Sequence, residues 1–498
     1  MRKLYIKLVG IFVISVLFSC TGDVEEQVYD KYQADEFYSS TEGADVALAA
    51  VYANVAGNWG GVGYAGADNG WYDLNSMSAD EQVIPHRTDG AWQLDFARLY
   101  KHEWLPTDLI VTNTWNWLYE AIFSANLAVE QLETAGAAPS KIAEAKVLRS
   151  FFYYLLMDDY GNVPFYTTND VTVEELPQAS RQEVYDFVVA ELEENVPNLS
   201  ETKGGEYYGR FNKWAGYGLL AKVYLNAEVY TGTPQWQKCI ETIEQLENGG
   251  FSLHPGAANE SSPNGYQYYE LFGDELPGDE TILAMFATAN VVSRNIFTIR
   301  SLSGPHAMEL FGVSGWNGSI VPEAYFDNYE DGDIRKEQFL VGEQPGGVNY
   351  TPQVNSLDNP GADPFAGVRN IKFYPATPLD GGGASNDFPI YRYADFMLMK
   401  AECYVRLGNS GAAKPLVDAI RERAGLSPLD GDPTLEDIYD ERGFELNWEG
   451  HRRQDMIRFG TFLEANEFRG ASENHRKLFP IPTSALDANP NLQQNPGY

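Results

Sequence analysis

Apolar residues in this chain recur at helical spacing in paired segments, with Gly or Pro in each connection, and this pairing limits the possible folds more than any other feature. Residues 114–133, TWNWLYEAIFSANLAVEQLE, place Trp117, Leu118, Ile122, Ala125, Leu127, Val129 and Leu132 close to a 3.6-residue period. Gly136 stops the segment, and Pro139 with Ser140 opens the next one. Residues 140–160, SKIAEAKVLRSFFYYLLMDDY, are apolar over most of their girth, so this helix is buried until Gly161 and Pro164 break it. The plan recurs at 212–230 with 235–247 and at 391–407 with 411–424. Helices that pair through Ala, Leu and Tyr contacts and short turns predict a mainly α, tetratricopeptide-like scaffold, although no strict repeat of about 34 residues is visible.

Between the pairs the pattern changes. Residues 57–75, GNWGGVGYAGADNGWYDLN, and the broad stretch 255–390 are dense in Gly, Asn, Asp and Pro without a lasting period, as in long ordered loops hung on a support. The chain therefore reads as a single domain over 35–498. Its helical scaffold occupies about 35–56, 114–254 and 391–465, a loop-rich ligand lobe covers about 57–113 and 255–390, and an extended segment fills 466–498. Recognition tends to sit on such loops, because a rigid frame holds them in place while their side chains stay free.

The first 34 residues belong to neither part. Arg2, Lys3 and Lys7 precede an apolar run from Leu8 to Phe18, the plan of a secretory signal peptide over 1–19. That run is too short to span a bilayer, which takes roughly 20 apolar residues. Leu17, Ser19 and Cys20 resemble a bacterial lipoprotein lipobox, in which Cys20 is acylated and becomes the mature N-terminus. Asp23, Glu25 and Glu26 begin a flexible acidic tether over 20–34, similar to the acidic tag that directs some Bacteroidetes lipoproteins to the cell surface. The formal charge is −36, and loss of residues 1–19 removes three positive and no negative charges, giving −39. A surface of that sign repels nucleic acid and anionic lipid, so neither is an expected partner surface. Cys239 and Cys403 sit far apart inside apolar helical patterns and are expected to be buried free thiols.

No motif announces catalysis. GVGYAG at 61–66 matches G-x-G-x-x-G, but another Gly-rich loop follows where a dinucleotide site requires a helix to open. DNYEDGDIRKEQ at 327–338 has the acid density of a calcium loop, yet Tyr329 and Gln338 stand where oxygen-donor and bidentate ligands belong. In DERGFELNWEGHRRQDMIRFG, 440–460, Glu441, Glu445 and Glu449 recur every four residues and share a helix face. Arg442, Arg452, Arg453 and Arg458 lie close by, and guanidinium neighbours lower a carboxylate's pKa, the reverse of what a general acid needs. A structural ion network is the reading that follows. Six scattered histidines form no metal-spaced cluster, so the sequence predicts no catalytic residue, metal or cofactor.

Aromatic residues in the loops are the remaining signal. With 31 Tyr, 26 Phe and 10 Trp, some rings must lie outside the core. A projecting ring offers a flat apolar face to the C–H face of a sugar, while Asn, Asp, Gln and Arg hydrogen-bond the hydroxyls. Trp59, Trp71 and Tyr72 lie beside Asp68, Asn69 and Asn75; Trp92 lies beside Arg87, Asp89 and Gln93; Trp316 lies beside Asn317. These clusters are expected to face solvent, against the alternative that they merely pin loops to the scaffold.

Several longer segments together resemble the SusD/RagB family of Bacteroidetes nutrient-binding outer-membrane lipoproteins. They are MSADE at 77–81, TWNWLYEAIFSAN at 114–126, LRSFFYYLLMDDYGNVPF at 148–165 and GRFNKWAGYGLLAKVYLNAE at 209–228. YRYADFMLMKAECYVRLGN at 391–409, RERAGL at 421–426, the 441–460 segment and FPIPTSALDANPNLQQNPGY at 479–498 complete the set. Gly443, Arg453 and Gln454 depart from the family's usual residues, at scaffold positions. The resemblance implies a helical face docked on a SusC-type TonB-dependent outer-membrane barrel and a loop-rich lobe that binds glycan without catalysis. It also implies that Trp92 and Trp316 line the glycan site. With the residues read above, the expected ligand set is Trp92, Trp316, Trp71, Tyr72, Asp68, Asn69, Arg87, Asp89 and Asn317, with Cys20 as the lipid anchor. A surface glycoside hydrolase using loop carboxylates such as Asp68 or Asp89, and a peptide-binding member of the same family, are the alternatives.

Overall fold

The structure is a computed structural model that describes residues 40–57, 62–86, 92–288, 295–358, 363–376, 379 and 382–498. Cys20, Trp59, Arg87 and Asp89 lie outside the described residues.

The helical part begins with α1, Thr41–Ala56, whose cap Ser40 accepts from Gly43 N at 3.0 Å. Two short helices follow, α2 (Trp71–Ser76) and α3 (Leu94–Tyr100). The first predicted pair is α4 (Leu109–Thr134) and α5 (Pro139–Tyr160), turned at Gly136 with φ +62°. A positive φ suits glycine, which has no Cβ to clash. Seventeen of the eighteen residues of α5 from Ala143 to Tyr160 are buried, as its all-round apolar pattern requires. α1 packs on α4 and α5 on α6 (Arg181–Asn195), which starts with a Ser180/Glu183 capping box.

The segment 212–230, expected as one helix, is two: α7 (Lys213–Leu225) and α8 (Ala227–Thr231). The break falls at Asn226, whose Nδ2 donates back to the Lys222 carbonyl at 3.0 Å while its Oδ1 accepts from Arg458 at 3.0 Å. A local side-chain bond of this kind competes with the helical backbone. α9 (Trp236–Glu247) then packs on α7 and brings buried Cys239 inward; both Cys239 and Cys403 are free thiols.

The expected loop lobe is more structured than its composition indicates. The scaffold carries one two-stranded antiparallel piece, β1 (Val163–Pro164) with β2 (Gln178–Ala179), and the lobe is stitched by another, β3 (Thr281–Met285) with β8 (Phe388–Arg392). Between the latter lie α10 (Phe297–Ser301), α11 (Gly304–Phe311), α12 (Glu323–Asp327) and strands β4 (Phe339–Leu340), β5 (Gly342–Gln344), β6 (Val348–Tyr350) and β7 (Arg369–Asn370). The single bridge Val83–Ile320 ties the 57–113 region to the 255–390 stretch, and Val321–Val368 closes a bridge within that stretch.

The last predicted pair is α13 (Tyr393–Arg406) and α14 (Ser410–Arg423), turned at Gly408 with φ +78°. Beyond it, 440–460 is not one helix. α15 (Leu435–Leu446) stops before Asn447, Trp448 takes φ +59°, and α16 (Arg452–Phe459) starts afresh. The interruption buries Trp448 completely, with its Nε1 donating to the Glu81 carbonyl at 3.2 Å and its backbone N to Glu81 Oε2 at 2.8 Å. The C-terminal segment is partly helical (α17, Thr483–Ala488) and returns to the core: Phe479 is fully buried, and Trp104 Nε1 donates to the Tyr498 hydroxyl at 2.6 Å.

Candidate functional site: an aromatic groove

The tryptophan-bearing segments meet at one place. Gly318 N donates to the Arg300 carbonyl at 2.7 Å, Asn317 N to the Leu302 carbonyl at 2.9 Å and Trp316 N to the Ile299 carbonyl at 2.8 Å, so residues 316–318 form a strap laid along α10. Trp92 Nε1 donates to the carbonyl of Trp316 at 3.1 Å, and its ring stands edge-on to Phe96 of α3 at 5.7 Å. A Cβ placed on Gly318 would lie 2.4 Å from Trp92 Cζ2, so the indole rests against bare backbone there. Glycine is required for that approach.

These contacts frame an open groove of about 400 Å³ lined by Asp68, Asn69, Trp92, Gln93, Phe96 and Trp316. Its polar wall is fixed from below. Asp68, 31% exposed at its side chain, accepts from Arg300 Nη1 at 2.9 Å, and the same nitrogen donates to Asp73 at 2.8 Å. Arg300 and Asp73 are completely buried. Burial pushes the Asp73 carboxyl up to about 6, against the pull of Arg300. Asn69, at φ +63°, donates its backbone N to Asp73 at 2.8 Å and receives Asn113 Nδ2 on its carbonyl at 3.2 Å.

Not every predicted residue reaches the groove. Trp71 and Tyr72, expected to face solvent, are core residues at 3% and 1% exposure, because all of α2 is buried. Trp71 stacks on Tyr64 at 4.3 Å, and Tyr72 meets Phe297 edge-on at 4.5 Å. Neither has a face left for a ligand. Asn317 is also spent on structure: its Nδ2 donates to the Pro364 carbonyl and its Oδ1 accepts from Arg369, each at 2.9 Å. Trp92 lines the groove but does not project, being 8% exposed, whereas Trp316 is partly exposed. The sequence reading missed Arg300, Phe96 and Gly318. The signal for Arg300 was an arginine set inside the apolar run IFTIRSL.

The glutamates of 441–449 form the expected ion network, but with other partners. Glu441 and Glu445 meet Arg335 of the lobe, Glu445 and Glu449 meet Arg392 of β8, and Glu449 also meets Lys372. The nearby arginines point elsewhere: Arg442 to Asp395 and Asp455, Arg452 to Asp80, Arg453 to Asp158, Arg458 to Glu402. Burial tends to raise Glu445 and Glu449, and the surrounding cations more than offset it, holding both below the usual carboxylate range. Glu441 departs from the expectation, since burial outweighs Arg335 there and its pKa is raised.

Known proteins share this fold and sequence. A model described as "SusD family" matches residues 314–477, and one described as "Starch-binding associating with outer membrane" matches residues 62–225. The chain is similar to "SusD-like protein P25" of Formosa agariphila, 27% identical over 555 residues and covering 99% of each chain. It is 25% identical over 497 residues to "Starch-binding protein SusD" of Bacteroides thetaiotaomicron, covering 86% of this chain and 85% of that one. Among solved structures, surface glycan-binding protein A from Bacteroides thetaiotaomicron in complex with laminarihexaose superposes with a TM-score of 0.71 at 21% identity, over 92% of this chain and 99% of that one.

Proposed function

Since the chain belongs to the SusD family, we propose that it is a cell-surface lipoprotein that captures an oligosaccharide in the Trp92–Trp316 groove and passes it to a SusC-type TonB-dependent outer-membrane barrel. The observation that carries this reading is the open groove itself, where a partly exposed indole shares the lining with Asn69, Gln93 and an Asp68 held by Arg300. The names of the relatives support the ligand class, one being a starch-binding protein and another solved with laminarihexaose. The family description "associating with outer membrane" supports the location. Acylation of Cys20 supplies the anchor, and the acidic tether gives the body reach above the membrane.

The groove binds and does not catalyse. Asp68 is committed to Arg300 at 2.9 Å, which holds its carboxylate in place as a hydrogen-bond acceptor for sugar hydroxyls. Stacking on Trp316 contributes about 1 kcal/mol, by analogy with aromatic pairs. That is roughly a fivefold change in affinity per ring, so binding is modest and shared among contacts. Native gels cast with laminarin, soluble starch, xylan or mannan test this: the intact protein is retarded by at least one, and Trp316→Ala loses most of that retardation. Equal retardation of Trp316→Ala removes the groove from the reading, and release of reducing ends by the purified protein replaces binding with hydrolysis.

A further inference from the structure

A larger groove, sharing no described lining residue with the first, lies where α1, the 206–210 turn and the end of β3 converge. Its volume is about 650 Å³, within the range of small-ligand pockets. Phe286 stands on its wall with 47% of its surface exposed, edge-on to Tyr208 at 6.5 Å. A single exposed phenylalanine says little. Here Tyr52, Tyr207 and Tyr208 surround the same space.

The polar groups between these rings are held in place. Arg210 lies 4.7 Å from the Tyr207 ring centroid and donates Nε and Nη2 to the two oxygens of Glu144 at 2.9 and 2.7 Å. Glu144 is 1% exposed and also accepts from the Tyr52 hydroxyl. Lys141 and Asp45 pair at 2.6 Å, and Glu206 is exposed to solvent. Three of the four charged groups that line the space therefore have counter-charges. A cavity with matched charges selects poorly for ions, whereas ring faces set between planar hydrogen-bonding groups suit a neutral, hydroxyl-rich ring. The backbone is shaped for this: Gly209 takes φ +72°, and a Cβ there would stand 3.2 Å from the Ala284 carbonyl, so the turn lies close against β3.

The geometry points to a second, independent oligosaccharide-binding site in this groove, in which a neutral glycan segment stacks on Phe286 and Tyr207 and hydrogen-bonds to Arg210 and Glu206. It rests on the glycan-binding reading of the protein and extends it: two grooves on one body hold a long chain by avidity, while each alone releases short fragments.

The test compares four proteins, the intact chain, Trp316→Ala, Tyr207→Ala/Phe286→Ala and the triple variant, in the same laminarin, starch, xylan and mannan gels. Phe286→Leu serves as a conservative single variant, and melting curves confirm folding. The expected result is a loss of about 25-fold in retention for Tyr207→Ala/Phe286→Ala, about fivefold for each ring removed, and a larger loss for the triple variant than for either parent. Unchanged retention in Tyr207→Ala/Phe286→Ala, alongside loss in Trp316→Ala, overturns the second groove and leaves the first standing. Loss in Tyr207→Ala/Phe286→Ala with none in Trp316→Ala keeps the second groove and overturns the first. An intact protein that none of the four polysaccharides retards overturns both.

Discussion

Arg300 is where the groove and the core are joined, since one guanidinium nitrogen serves Asp68 at the groove and Asp73 in α2. Removing one partner of a buried pair strands the other charge, at a cost of about 3–5 kcal/mol. Arg300→Gln is expected to lose that much in urea unfolding at pH 7.5. The loss should shrink at pH 5, because Asp73, already raised to about 6, takes up a proton and no longer needs a counter-charge. An equal loss at both pH values would remove Asp73 from the account. Gly318→Ala is a steric counterpart: its Cβ would enter the Trp92 ring at 2.4 Å. It should cost about 1–3 kcal/mol by overpacking and weaken glycan retention with it, read by melting and by affinity gel. At this scale Trp316 was legible because a Trp in a Gly-Asn turn has few ways to be buried by its own neighbours. Trp71 and Tyr72 were not, because polar residues that suggested exposure are used internally: Asn75 Nδ2 donates to the Trp71 carbonyl at 3.1 Å, and Asp68 meets Arg300 at 2.9 Å.

Helix starts and stops followed local chemistry wherever the signal was local, as at Gly136, Pro139 and Gly408. The break at Asn226 has a local part, its bond to the Lys222 carbonyl, but the partner that holds its Oδ1, Arg458, is distant, as is Glu81, which holds the break at Asn447, so neither break was legible in the sequence. Elements are held together in the same long-range way. Arg392 of β8 donates to Glu280 at 2.6 Å, to Glu445 of α15 at 2.8 Å and to Glu449 at 2.7 Å. Arg392→Gln therefore leaves buried carboxylates short of charge on three segments, and about 3–5 kcal/mol should be lost. Hydrogen exchange should show β3 and β8 opening together in that variant; protection unchanged across both strands would refute the linkage.

For the molecule as a whole, buried acids set the pH response. Burial pushes Glu81 and Asp387 up to about 7 and Asp159 up to about 8. A carboxyl whose folded pKa exceeds its unfolded value holds a proton that the unfolded chain has released. Its contribution is therefore full only below the unfolded carboxylate pKa near 4, falls as pH rises above that, and is lost once pH has passed through the folded pKa. His102 and His451, lowered by burial to about 2 and 4, act in the opposite sense, but only below an unfolded value near 6.5. Between pH 6.5 and 8 the acids are left to dominate, and the melting temperature should fall as pH rises. Glu81→Gln, which fixes the protonated shape, should flatten that fall; an unchanged slope would rule Glu81 out.

The sequence by itself determined the helical pairs, their turns, the free buried thiols and the class of residue at the groove, because periodicity, capping and composition act within a few turns of chain. Tertiary structure alone decided which rings face water, which arginine meets which carboxylate and where helices break. Those outcomes depend on which surfaces pack together, and packing joins residues hundreds of positions apart whose pairing leaves no local pattern.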